Sequence, residues 1–158
     1  MSTVQGLPAH VLLVHFIVVL IPLTAGLAIL SAVWPAARRR MIWLIAALAT
    51  ALAILTPITT GAGEWLEHRL NETDILRTHT TLGNTMPYVS LALLFGVALL
   101  VLVHVRDARQ RPLSKIVLAV CTGVTIVVSV LAVVQVYRVG DSGSRSAWSG
   151  EMAAPASK

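Results

Sequence analysis

The sequence predicts an all-α integral membrane protein, a four-helix up-down-up-down bundle. Of 158 residues, 56% are hydrophobic and only 12% are charged. Mean hydropathy is +0.81, and soluble domains carry about a quarter charged residues. Four runs each hold the roughly 20 apolar residues needed to cross a hydrocarbon core of about 30 Å. None of them shows a polar face wide enough to meet water.

The first run, Val11 to Trp34, opens within "LPAHVLLVHF" and contains Pro22. Its start has no lysine or arginine and its apolar stretch is too long for a cleavable signal, so the helix is expected to be retained. After "PAARRR" the second run covers Met41 to Thr60, with Pro57 inside. Both prolines are expected to kink their helices, with Thr24, Thr56 and Thr59 near to satisfy freed backbone groups. A polar connection, Gly61 to Thr78, leads to the third run, Thr80 to Val105. "RDARQRPLSK" then turns the chain into the fourth, Leu113 to Tyr137. Short connections favour antiparallel neighbours, and residues 1–140 read as one transmembrane domain. Composition changes after Arg138 to Gly, Ser and Pro, so 141–158 read as an extracytoplasmic loop and a flexible tail.

Small residues recur at helical spacing: Ala28 and Ala32, Ala49 and Ala53, and Cys121 with Thr125 and Ser129. In lipid, helices associate through such close contacts. The first and third connections carry seven basic residues against Asp107 alone, and the opposite side carries five against six acids. Short loops rich in Lys and Arg stay cytoplasmic, so both termini are expected outside the plasma membrane.

Several functions are set aside by the same reading. The basic residues form no stripe with interleaved aromatics, which argues against nucleic acid. One cysteine, Cys121, allows neither an internal disulfide nor a CxxC motif. No GxSxG or serine, histidine and acid arrangement suggests catalysis, so the chain reads as non-catalytic.

Counting 1.5 Å per residue from the basic ends places polar residues in two layers. His15, Asn84, Gln135 and Thr60 lie near the outer edge of the hydrocarbon, about 28 to 31 Å out. His10, His79, His68 and Asp141 lie about 36 to 40 Å out, with Glu64 and Glu67 nearby. Neutral imidazole suits haem iron, zinc and copper. The cofactor-binding candidates are therefore His10, His15, His79 and Asn84, with haem b as the group. The candidates for a zinc or copper ion are His10, His68, His79 and Asp141. Against a single ion on the first helix stands geometry: His10 and His15 are about 140° apart around a regular helix. The leading reading is a module whose outward histidine layer binds haem or a metal in a redox or respiratory assembly, with a redox membrane protein or a second copy of itself as partner; the competing reading is a structural scaffold or assembly partner whose histidines are only hydrogen-bonded and bind no cofactor.

"AHVLLVHF", "TGAGEWL", "HTTLGN" and "YRVGDSGSRSAW" together resemble the signature of a bacterial membrane protein family of unknown function, domain of unknown function twenty-two thirty-one. The resemblance covers nearly all of the first 148 residues. The family pattern has a proline after its first histidine, where this chain has Val11. Carried over, it emphasises His10, His15, Gly61, His79, Asn84 and Gly140 to Gly143. It implies a fold similar to two-haem b-type membrane cytochromes and an electron-transfer setting, since relatives are joined to Rieske or cytochrome c domains. The GDSG run is similar to that of actinobacterial members.

Overall fold

The computed structural model describes residues 3–4, 7–67 and 74–148, with side chains over 13–64 and 77–145. A short antiparallel pairing, β1 (Thr3–Val4) with β2 (Leu7–Pro8), precedes the helices. Four helices are long and apolar enough to span a membrane: α1 (Ala9–Val33), α2 (Pro35–Glu67), α4 (Met86–Ala108) and α5 (Lys115–Trp148). A shorter helix, α3 (Asp74–Gly83), leads into α4. Around the bundle the order is α1, α2, α4, α5, with α1 diagonal to α4.

The surface is apolar and much of the centre is hydroxylated, the reverse of a water-soluble bundle. Val19, Leu44, Phe95 and Val127 are 55–65% exposed, while Thr24, Ser31, Thr125 and Ser129 are fully buried. Lipid accepts the first set at no cost, and the second hides its polar atoms from it. Among the described residues the exposed tryptophans and tyrosines lie toward the two ends, Trp34 and Trp43 near the basic turns and Tyr88 and Tyr137 opposite. This is where amphipathic rings settle at headgroup level.

Three boundaries differ from the sequence expectation. The first connection is the single residue Trp34, and α2 starts at once on Pro35. Proline suits a first helical position, and "AARRR" favours helix, so the basic run becomes the first turns of α2. The third span is broken: Asn84 and Thr85 form a turn between α3 and α4, because Pro87 lacks an N–H and disfavours helix before it. Thr85 Oγ1 donates to the Leu82 carbonyl at 2.7 Å and closes that turn.

The loop expected over 141–158 is instead helix through Trp148, and residues 149–158 lie outside the described residues. Packing overrides the weak propensity of Gly140 and Gly143 here. Asp141 pairs with Arg145 one turn on at 3.1 Å, and Ser142 and Ser144 donate to the carbonyls of Val139 and Asp141. Helix α3 packs along this extension.

At the other end of α4, Gln110 takes φ 55. Its N–H reaches the Asp107 carbonyl and that of Arg111 reaches Arg106, the two bonds of a Schellman cap. Both helices with internal proline run on unbroken. Beside Pro57, Thr56, Thr59 and Thr60 donate to the carbonyls of Leu52, Leu55 and Thr56.

The core falls into two apolar clusters. One, with Ile17, Ile21, Leu52, Leu93 and Val136, fills the histidine half; the other, with Ala28, Ile42, Ile45, Val97 and Leu100, fills the basic half. Most of the small-residue stripes are buried as contacts: Ala28, Ala49, Thr125 and Ser129 are at 0%, and Ala53 is half-buried. Buried hydroxyls from all four spans, Thr24, Thr56, Ser90 and Thr125 among them, lie in the core beside these clusters. Thr56 and Ser90 bond at 2.6 Å. Thr125 donates to the Gly96 carbonyl at 2.9 Å and is shared with Cys121.

Candidate functional site at the histidine end

Helix α3 packs along the extension of α5, and there His79 faces the "GDSG" segment. The His79 Nδ1 and Ser142 Oγ lie 3.1 Å apart, a hydrogen bond between elements 63 residues apart in sequence. A side chain at position 143 would place Cβ 3.0 Å from His79 Cε1 and 3.3 Å from Nδ1, closer than most such contacts. Glycine at 143 is thus what lets the imidazole lie against the α5 backbone. Two turns below, Gln135 Nε2 donates to Thr85 Oγ1 at 2.7 Å, with the Leu82 carbonyl at 3.4 Å. Two polar clasps therefore hold the α3–α4 turn to α5.

Breaking the upper clasp has a measurable expected result. Ser142→Ala removes one neutral hydrogen bond, worth about 1 kcal/mol. Amide exchange over residues 77–83 should quicken about fivefold, with global stability little changed. Unaltered exchange in that segment would show that Ser142 does not hold the histidine.

His79 also lines a cavity of about 60 Å³. The remaining walls are mostly apolar, with Val14, Ile17, Met86 and Val136 among them, and Thr59 and Thr60 complete one side. The other candidates disperse. His15 and Asn84 are exposed, and neither lines this cavity. Gln135, expected in one layer with His15, Asn84 and Thr60, bonds Thr85 at the α3–α4 turn. Asp141 is half-buried and paired with Arg145. The His10 side chain and the whole of His68 lie outside the described residues.

A haem needs a chamber holding the macrocycle between its axial ligands, and even drug-sized ligands occupy roughly 300 Å³ or more. The cavity at His79 is about 60 Å³ and walled by core residues, so the described residues do not fit haem b. Among the described residues no three of His, Cys, Asp and Glu converge as a metal site. The opposite end carries a polar pair that the sequence reading treated only as loop charge. Arg38 on α2, 4% exposed, bonds Asp107 on α4 at 3.0 Å. Its one legible signal was that Asp107 is the sole acid among seven basic residues.

The comparison with known families decides what kind of chain this is. The model of the family described as "Predicted membrane protein (DUF2231)" matches residues 6–154. The chain belongs to this family. Its motifs acquire positions in DUF2231 terms: "HTTLGN" supplies His79 and the turn, and "GDSG" supplies the seat beneath the imidazole. Gly61, which the resemblance also emphasised, has open space where a Cβ would stand. No curated protein and no solved structure matches the chain. The likeness to two-haem b-type cytochromes that the resemblance implied therefore has no support from a solved fold.

Proposed function

We propose that this DUF2231 protein is a non-catalytic structural module of a bacterial plasma membrane, a four-helix scaffold that serves as a partner in a redox assembly without itself carrying haem or metal. The observation that supports this reading is the use made of the polar groups at the histidine end. His79 with Ser142, and Gln135 with Thr85, tie helix to helix. Polar residues that face a bundle interior and pair with each other are the usual way membrane helices hold register. The redox setting comes from the resemblance, whose relatives are joined to Rieske or cytochrome c domains. The orientation, with both termini outside, rests on the seven basic residues at one end.

The test uses full-length protein purified in mild detergent. The expected result is no Soret band and no stoichiometric zinc, copper or iron. His79→Gln should lower stability while leaving the spectrum and metal content unchanged. A Soret band, or one metal per chain lost on that substitution, would restore the cofactor reading built on His10, His68, His79 and Asp141. For orientation, a reporter fused after Lys158 should be active only outside the cytoplasm; cytoplasmic activity reverses it.

A further inference from the structure

Helix α3 and the extension of α5 enclose a second, more open groove of about 330 Å³. Its walls include Thr78 and Leu82 from α3 and Tyr137, Arg138, Asp141 and Arg145 from α5. We infer that this groove binds the phosphodiester headgroup of an anionic phospholipid, with Arg138 as its principal contact.

Three observations carry the assignment. The first is level. Between Lys115 and Arg138 the α5 sequence carries no charged residue, and 23 residues of helix rise about 34 Å, close to one hydrocarbon thickness. Arg138 therefore emerges where lipid phosphates lie, with Tyr137 beside it, 74% exposed like an interfacial ring.

The second is charge. Asp141 is already paired with Arg145 at 3.1 Å. Among the described residues no carboxylate forms an ion pair with Arg138, so the groove holds two guanidiniums against one acid. Among the described lining residues one guanidinium is thus left without an acid, a charge that a phosphodiester can meet. A planar guanidinium also suits bidentate contact with phosphate oxygens.

The third is shape. The volume lies in the range of small-molecule sites. Leu82 and Tyr137 give the groove an apolar side at the level where acyl chains begin, which a lipid uses and a free anion does not.

Hydrogen exchange tests this on the full-length protein in phosphatidylcholine nanodiscs with and without phosphatidylglycerol. Phosphatidylglycerol should slow exchange over 74–83 and 137–145 about fivefold, as one arginine at a membrane surface allows. Arg138→Gln should abolish the slowing without changing exchange in phosphatidylcholine alone, and Arg138→Lys, which keeps the charge but loses the bidentate fork, should keep only part of it. Arg109→Gln, at the other end of the bundle, should leave it intact. If Arg138→Gln fails to fold, the wild-type pattern decides. Slowing confined to these segments and unaffected by soluble glycerol phosphate supports the site. Equal slowing by phosphatidylcholine, none at all, or its reproduction by soluble glycerol phosphate or an acidic peptide overturns it.

Discussion

Gly96→Leu should separate α4 from α5 and abolish the cooperative melt of the purified protein. The two helices approach closely here: a Cβ on residue 96 would lie 2.7 Å from Val128 Cγ2 and 3.3 Å from Thr125 Cα. A valine methyl can rotate aside, but the Thr125 contact is backbone, so relief requires moving a helix. That motion also breaks the buried bond from Thr125 Oγ1 to the Gly96 carbonyl. Overpacking by a methyl costs about 1–3 kcal/mol. Gly96→Ala regains up to about 1 kcal/mol from helix propensity, so its net loss is small. Leucine adds three further carbons with nowhere to go. The check is thermal unfolding followed by circular dichroism in detergent. A Leu variant melting within about 2 °C of wild type would show that α4 and α5 are not in this contact.

The second large effect is an asymmetry. Asp107→Ala should destabilise the bundle by about 2 kcal/mol, and Arg38→Met by less than about 1 kcal/mol, although both delete the same ion pair. The Arg38 side chain is 5% exposed and that of Asp107 is 46% exposed. Removing the carboxylate strands a buried cation whose Nε already lacks a partner. Removing the cation leaves an anion that water can solvate, and methionine fills the vacated space. A fully buried pair broken on one side costs 3–5 kcal/mol, and the exposure of Asp107 reduces that figure. Reversible denaturation of both variants in the same detergent decides the order. Equal losses, or a larger loss for Arg38→Met, would contradict it.

How much of this was legible from residues alone varied with the physics involved. The four spans were, because crossing a membrane depends on summed transfer energy and little else. Helix ends were not, since they depend on which side chains meet. The glycines and serines of "GDSGSRSAW" do not announce helix, and its packing against α3, with Ser142 meeting His79, is not visible in the local sequence. Depth counting could group Gln135 with the start of the third span but could not name Thr85 as the hydroxyl it meets. The set of buried hydroxyls was visible only as separate facts, Thr125 and Ser129 as small packers and Thr56 as a neighbour of proline. Their union needed the helix order and rotation, which hydropathy does not encode.

Helices α2 and α5 run for 33 and 34 residues, about 50 Å each, where some 30 Å suffices to cross the hydrocarbon. The excess is an overhang of several turns, and at the end of α5 it is braced by α3. A protein settling there meets a stiff mount at fixed height above the lipid. Its distance and bearing are then set by the overhang and not by a slack tether.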